Sequence, residues 1–252
     1  MFQSWKKSLI ATAILGAAVS TTVANAEGKK VLNVGCEGAF APFTYIDNDG
    51  NITGFDIDLI KVIGEDLGYE VKINVLPFDG LIPSLKLGNI DLIISGFTIS
   101  EERAKQVAFT DPYYKSGISA IIRRADKDKY QKITDLSKSR LCAQIGTTGA
   151  NAAKEISGNV GTYNTVPEAF MELKAKGCEA VVNDRPVNLY FLATKKDDSY
   201  VEIPELVSGE NYGIITNKKN TELLQKLNSG LKKIRENGTF QKIHQKWFNV
   251  AE

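Results

Sequence analysis

Apolar strand-like runs alternate with amphipathic helix-like runs along most of this 252-residue sequence. In the first half, Val31–Cys36, Val71–Leu76 and Asp91–Ser95 are typical of strands. Between them, the residues from Asp56 onward and Leu81–Leu87 carry apolar side chains at helical spacing. Because successive parallel strands need a crossover connection, this order favours a mostly parallel sheet with helices on both faces. The predicted fold class is therefore α/β.

The same pattern repeats in the second half of the chain. Ser119–Arg123, Leu141–Gln144 and Ala180–Asn183 are typical of strands, and Ala150–Ile156 and Glu168–Lys176 are typical of helices. Two similar halves favour two α/β lobes over one large sheet.

Two further helices are predicted at the end of the chain. An apolar stripe runs through Thr221–Glu236, and a short last helix carries Ile243 and Trp247. The only histidine, His244, stands among charged and polar residues of that last helix, so we expect it at the surface rather than in a catalytic site.

The first 26 residues are typical of a cleavable secretory signal. Two lysines at positions 6 and 7 precede an apolar run over residues 9–19, and the small-residue site Ala24-Asn25-Ala26 follows. The apolar run is too short to span a bilayer. We therefore expect cleavage after Ala26 and export of a soluble mature chain to the periplasm.

The second half of the strand and helix pattern is inserted within the first, which requires two connections. Lobe 1 is predicted to comprise residues 27–114 and 212–252, and lobe 2 residues 119–206. Hinge strands near residues 115–118 and 207–211 are expected to join them, and the lobes to close on a ligand as rigid bodies.

Composition and charge exclude several classes of function. The sequence is 43% hydrophobic and 24% charged, which is globular rather than disordered composition. Its net charge is +1, and −1 without the first 26 residues, so no strong field attracts nucleic acid or acidic lipid. One histidine and three cysteines are too few for most zinc sites. We expect no nucleic-acid partner, no metal and no cofactor.

In an oxidising compartment, cysteines can form disulfides. Cys142 and Cys178 each lie in or just before a predicted strand and could form a disulfide. Cys36 would remain unpaired, and we expect it to be a small buried residue rather than a reactive thiol.

Sequence motifs of common enzymes are absent. The chain has no G-x-x-x-x-G-K-[ST], no H-E-x-x-H and no G-x-S-x-G. The glycine-rich residues 146–149 precede a predicted helix and could hold an anion, but no lysine follows in the phosphate-binding position. The sequence therefore favours binding over catalysis.

Several stretches resemble the bacterial extracellular solute-binding proteins, family 3, which are periplasmic polar amino-acid-binding proteins. They are Gly54–Leu59, Ser95–Arg103, Phe109–Tyr114, and Glu236–Phe240 followed by Trp247–Phe248. The resemblance covers essentially the whole mature chain in order. It implies a two-lobed periplasmic-binding-protein type II fold with the ligand in the interlobe cleft. It also implies a monomer that serves an inner-membrane ABC permease and its ATPase.

The chemistry of a free amino acid requires a cation and an anion held close together and sheltered from water. Arg103 is the candidate cation, because its planar fork can grip a carboxylate bidentately, with Thr98 close by. The alternative is a solvated surface arginine. Asp184 is the candidate anion for the ligand ammonium, since it ends a predicted strand where a crevice opens. The alternative is a turn residue before Pro186.

The resemblance assigns three further positions at the backbone end of the ligand. Thr148 matches a residue that contacts the α-carboxylate from the second lobe. Ser95 and Gly96 match positions that offer hydroxyl or backbone contacts.

Side-chain selectivity is expected from a second group of residues. Phe40 and Phe78 match two aromatic positions that sandwich the ligand side chain, although aromatic residues are more often core. Glu37 is placed by resemblance at the mouth of the pocket, near Gln144. Asp56 matches a position that reaches basic side chains in some relatives and also occurs in glutamine binders.

We expect the ligand to be a polar or basic L-amino acid, with arginine favoured. A guanidinium would compensate the negative charge of Glu37 and could stack on both phenylalanines. Glutamine is the alternative, because Asp111–Gly117 and Asn188–Phe191 look closer to glutamine binders. A less favoured alternative is a dehydratase on the same scaffold, with Glu37 as general acid.

Overall fold

The computed structural model describes residue 1, residues 29–195 and residues 198–248. Apart from Met1, the predicted signal sequence and its cleavage site lie outside the described residues. Within the described part of the chain, no helix has the length and apolar character needed to cross a membrane.

The described residues form fourteen strands and eight helices. The strands are β1 (Lys30–Cys36), β2 (Ala39–Phe40), β3 (Thr44–Ile46), β4 (Ile52–Thr53), β5 (Tyr69–Val75), β6 (Leu92–Ile93), β7 (Ala108–Phe109), β8 (Tyr114–Arg123), β9 (Leu141–Gln144), β10 (Val160–Tyr163), β11 (Ala180–Asp184), β12 (Tyr200–Glu202), β13 (Ser208–Tyr212) and β14 (Ile215–Thr216). The helices are α1 (Phe55–Asp66), α2 (Leu81–Leu87), α3 (Glu101–Ala104), α4 (Thr148–Ile156), α5 (Val166–Lys174), α6 (Arg185–Lys195), α7 (Thr221–Glu236) and α8 (Thr239–Phe248). One-turn 3-10 helices lie at Phe78–Gly80, Arg124–Asp126 and Ile133–Leu136.

The sheet of the first lobe has the order β5-β1-β6-β14-β7. Strand β1 runs parallel to β5 and β6, as the alternation predicts. Strand β14 comes from the far end of the chain and runs antiparallel to β6 and β7. A small sheet of β2, β3 and β4 lies beside it.

The sheet of the second lobe has the order β10-β9-β11-β8-β12, with β13 also paired to β8. Strand β9 runs parallel to β10 and β11, whereas β8 is antiparallel to β11, β12 and β13. Both sheets are therefore mixed. The reason is that β8 enters the second lobe at the edge where β11 ends, so it must run in the opposite direction.

The two sheets are joined by a ribbon of β8 and β13. Ser208 lies opposite Ile118 at one end of the pairing, and Tyr212 lies opposite Tyr114 at the other. The predicted hinge segments, residues 115–118 and 207–211, face each other in this crossing ribbon.

Helices α1, α7 and α8 pack together on the first lobe. The predicted apolar stripe of α7, formed by Leu223, Leu227, Leu231 and Ile234, is buried as expected. Each such side chain contributes about 1.5–3 kcal/mol by leaving water. The Asn220 side chain accepts a hydrogen bond from the Leu223 N–H and caps the helix.

The last helix corrects one prediction. His244 is half-buried, and its ring contacts those of Phe55, Tyr114 and Phe248. Burial lowers its pKa, since the charged form would lose hydration. The expected surface position is wrong because the aromatic face of α8 turns inward.

The sequence pattern does not reveal α6. This helix begins at Arg185, directly after β11, and carries Pro186 in its first turn. Proline is tolerated there, because the N–H that it lacks has no partner within the helix. Asp184 therefore lies at a strand-to-helix junction and not in an isolated turn.

Cys142 and Cys178 form a disulfide in the second lobe, with Cα atoms 6.0 Å apart. Cys142 lies in β9 and Cys178 just before β11, which are neighbouring strands. Cys36 is unpaired and buried, and burial is the first cause that raises the pKa of its thiol to about 12. It is therefore an inert thiol, as expected.

Candidate functional site

A small cavity lies between the lobes, where the carboxyl ends of several strands meet. It is lined by Phe40, Phe78, Gly96, Thr98, Arg103, Thr147, Thr148 and Asp184. Its volume is about 10 Å³, close to the space that one water requires. A free amino acid can therefore enter only if the lobes move apart.

Arg103 projects from the short helix α3 into this cavity. Ser100 caps the helix by accepting a hydrogen bond from the Arg103 N–H. The guanidinium donates to the Thr98 carbonyl at 3.0 Å in the first lobe and to the Gly146 carbonyl at 3.1 Å in the second. It also lies over the Phe97 ring, 4.4 Å from its centroid. Arg103 is thus buried between the lobes and is not a solvated surface arginine.

Two nearby carboxyl groups favour the charged form of Arg103. Burial lowers the pKa of the Arg103 guanidinium, and the charges of Asp184 and Glu210 oppose part of that change. With two of its five N–H donors used on carbonyls among the described residues, three remain for a ligand carboxylate.

Asp184 ends β11, is buried and also lines the cavity. Its Oδ1 atom accepts a hydrogen bond from the Tyr212 hydroxyl at 2.6 Å, and that hydroxyl accepts one from Ser116 at 3.0 Å. Burial is the largest cause that raises the pKa of Asp184 to about 7, and the charge of Glu210 raises it further. A ligand ammonium would favour the ionised form of this carboxyl.

Glu37 and Gln144 meet across the cleft. Gln144 Nε2 donates to Glu37 Oε1 at 2.7 Å and to the Asn164 carbonyl at 2.9 Å. Glu37 is 3% exposed, and its Oε2 atom has no hydrogen-bond partner among the described residues. Burial raises the pKa of Glu37 to about 7, although the bond from Gln144 lowers it. The unpartnered oxygen is a buried acceptor that a cationic or amide group would satisfy.

Asp56 and Ser95 shape the loop around Gly96 and do not line the cavity. Asp56 Oδ2 accepts hydrogen bonds from the Gly96 N–H at 2.7 Å and the Tyr113 hydroxyl at 2.9 Å. Ser95 Oγ accepts from the Glu37 N–H at 2.9 Å. Burial raises the pKa of Asp56 to about 7.

Gly96 itself approaches Phe40 closely. Its φ of +54° is in the region that favours glycine, and a Cβ atom there would lie 2.5 Å from the Phe40 ring. Phe78 forms the other aromatic wall and stacks on Phe97 with centroids 4.4 Å apart. The two predicted aromatic residues therefore both reach the cavity.

Of the eleven predicted site residues, seven line the cavity: Phe40, Phe78, Gly96, Thr98, Arg103, Thr148 and Asp184. The other four, Glu37, Asp56, Ser95 and Gln144, lie behind this lining and contact it or each other. Within the described ranges, no group of His, Cys, Asp and Glu side chains is placed to hold a metal ion.

Three residues near the site are absent from the predicted set. Thr147 lines the cavity and caps α4, since its hydroxyl accepts from the Ala150 N–H at 3.0 Å. Glu210 and Tyr212 come from β13, in the crossing ribbon. The Ser-Gly-Glu-Asn-Tyr sequence of β13 has no apolar alternation, so no local signal could have found them.

This fold and cleft define a two-lobed solute-binding protein. The sequence profile of the bacterial extracellular solute-binding proteins, family 3, matches residues 32–250, and the chain belongs to that family. The ABC transporter arginine-binding protein 1 of Escherichia coli K12 is similar, with 34% identity over 93% of this chain and 98% of that protein.

Two solved structures share the fold at higher identity. An ancestral arginine-binding protein bound to arginine has a TM-score of 0.84 and 38% identity, covering 87% of this chain and 99% of its own. An ancestral arginine-binding protein bound to glutamine has a TM-score of 0.83 and 38% identity, covering 88% of this chain and 99% of its own.

Proposed function

We propose that this protein is the periplasmic substrate-binding component of an amino-acid ABC importer and that its ligand is L-arginine. The observation that carries this proposal is the charge balance of the cleft. The cleft holds one guanidinium, that of Arg103, whose charge interacts with Asp184, and a second buried carboxyl, that of Glu37, which contacts Gln144. With these three groups ionised, their net charge is −1, which balances a ligand of net charge +1 that carries one carboxylate and two cationic groups.

The backbone end of the ligand would bind between the lobes. Arg103 would hold the α-carboxylate with its remaining donors, assisted by Thr98 and Thr148. Asp184 would pair with the α-ammonium. Gly96 lines the cavity beside them and leaves room that a side chain would fill.

The side-chain end would extend toward Glu37. Its unpartnered Oε2 atom can accept from a guanidinium, and Phe40 and Phe78 provide aromatic faces for it. Gln144 would orient Glu37 from the second lobe. Asp56 would act indirectly, by holding the Gly96 loop.

Closure would take place about the crossing ribbon. We assign residues 27–114 and 212–252 to lobe 1, residues 119–206 to lobe 2, and the hinge to residues 115–118 and 207–211. Small-angle scattering should show a smaller radius of gyration when ligand is added to the stripped protein. An unchanged radius would contradict closure about this hinge.

Glutamine is the second candidate, because Glu37 already accepts a hydrogen bond from an amide, that of Gln144. A ligand amide could take the same role. A similar ancestral arginine-binding protein is itself bound to glutamine, which supports this candidate.

We propose binding rather than turnover, and a monomer that delivers its ligand to an inner-membrane permease and its ATPase. The similar Escherichia coli protein is named as a component of an ABC transporter. The dehydratase alternative would use Glu37 as general acid, since its pKa is near 7. Incubation with cyclohexadienyl acids should yield no aromatic product, and formation of such a product would establish an enzyme.

The experiment that tests the ligand is a thermal-shift panel of the twenty amino acids. The exported chain is first unfolded and refolded to remove bound ligand. Arginine should raise the melting temperature most, since a ligand at a hundred times its Kd adds about 2.7 kcal/mol to the free energy of unfolding. A panel in which arginine gives no shift would overturn the proposal.

A further inference from the structure

Glu210 lies where the two lobes and the crossing ribbon meet. Its Oε2 atom accepts a hydrogen bond from the Thr98 hydroxyl of the first lobe at 2.6 Å. The same oxygen accepts one from the Thr148 hydroxyl of the second lobe at 3.1 Å. The two hydroxyl oxygens are 3.4 Å apart, so one carboxylate oxygen bridges both.

This arrangement has the chemistry of a ligand carboxylate. A carboxylate oxygen accepts from both threonine hydroxyls, and Arg103 is close enough for its charge to interact with Glu210. A hydroxyl has a single proton and can donate to only one acceptor. Thr98 and Thr148 therefore cannot donate to Glu210 and to a ligand carboxylate at the same time.

We infer that Glu210 is an internal competitor for the α-carboxylate subsite, and that an amino acid must displace its side chain in order to bind. This inference rests on the proposed function and adds a residue that determines affinity and ligand class.

Glu210 is suited to such a displacement. It is half-buried, and the hydrogen bonds found for its carboxylate in the described part of the chain are those two. Because Glu210 is itself partly exposed, solvent is available to the displaced carboxylate. A self-occupied subsite weakens the apparent affinity, because only the fraction of molecules with a vacated subsite can bind.

The test measures binding of L-arginine and L-argininamide to the wild-type chain and to Glu210→Ala by titration calorimetry. The two ligands share the cationic side chain, but the amide lacks the α-carboxylate. Glu210→Ala should bind arginine about tenfold more tightly, since the competing carboxylate is gone. It should bind argininamide more weakly than wild type, since that ligand is more cationic and loses an attractive charge.

Two further variants control the comparison. Glu210→Gln removes the charge but keeps an acceptor, so it should give a smaller gain in arginine affinity. Glu70→Gln makes the same charge change on an exposed position of β5 and should change neither affinity.

The outcomes separate the two claims. If Glu210→Ala binds arginine as tightly as wild type or more weakly, Glu210 does not compete with the ligand carboxylate. That result would indicate that Glu210 orients the threonine hydroxyls for the ligand. That result would leave the proposed function standing. A wild-type chain that binds no amino acid would instead refute the proposed function, and the competitor with it.

Discussion

Replacement of Arg103 by alanine should abolish most of the affinity for an amino acid. In the structure the guanidinium is 9% exposed and already bridges the lobes through carbonyl groups of Thr98 and Gly146. Its loss leaves the ligand carboxylate without a cation in a site that excludes water. Truncation of one partner of such a buried pair costs about 2–5 kcal/mol. At tenfold per 1.4 kcal/mol, this corresponds to about 30-fold to several thousandfold in Kd.

The assay is titration calorimetry of arginine into stripped protein, with two companion variants. Arg103→Lys keeps the charge but not the planar fork, so its loss should be intermediate. Arg140→Ala removes an exposed arginine just before β9, at the opposite end of that strand from the cleft, and should leave Kd unchanged.

Thermal unfolding without ligand separates a binding effect from a folding effect. Arg103→Ala removes an interlobe contact as well as a cation, so its melting temperature is measured beside that of Arg140→Ala. A folded Arg103→Ala protein that binds arginine within a few-fold of wild type would refute the assignment of this cation.

Three further predictions concern proton linkage, a positioning residue and the disulfide. Because burial raises the pKa of Glu37 and of Asp184 to about 7, both carboxyls take up protons as pH falls, and the bound cation must displace them. Arginine affinity measured by calorimetry should thus fall by about tenfold or more from pH 8 to pH 6, and equal or greater affinity at pH 6 would contradict this. Tyr212→Phe removes a donor that lowers the pKa of Asp184, so affinity should fall more at pH 6 than at pH 8; a loss independent of pH would indicate a packing effect alone. Replacement of Cys142 and Cys178 by alanine opens a link across 36 residues and should lower the free energy of unfolding by about 2–4 kcal/mol in urea titrations, as reduction should in wild type; equal stability would contradict the disulfide.

The same pKa values determine how the stripped protein responds to pH. Carboxyls whose pKa is raised in the folded state bind more protons folded than unfolded. The free energy of unfolding should therefore fall as pH rises from about 4.5 to 7, by up to about 1.4 kcal/mol per pH unit for each such group. Bound arginine should weaken this trend, since it stabilises the ionised forms and so lowers the raised pKa values.

Local sequence patterns predict those parts of the fold that depend on neighbouring residues. The stripe of α7 and the strands that end at Cys36 and Asp184 follow from the periodicity of apolar residues. Helix α6 is missed because Pro186 suggests a break, although it stands in a first turn that tolerates it.

Long-range pairing is what the sequence cannot provide. The register of the crossing ribbon places Glu210 and Tyr212 in the cleft, yet this register depends on contacts with β8, almost a hundred residues earlier in the chain. Likewise, the resemblance predicts Asp56 as a ligand-binding residue. In the fold its carboxylate instead accepts hydrogen bonds from the Gly96 N–H and the Tyr113 hydroxyl. The resemblance to a family supplies cleft positions that spacing alone leaves undetermined.

The central claim is that the cleft selects a cationic amino acid through its excess of carboxylates. Direct competition tests it: stripped protein is saturated with L-arginine, and L-glutamine is added at equal concentration while bound arginine is measured after rapid filtration. Arginine should remain bound, because a guanidinium satisfies the charge and the unpartnered oxygen of Glu37 together. Displacement of arginine by glutamine would contradict the account and show that the negative charge of Glu37 does not determine the ligand.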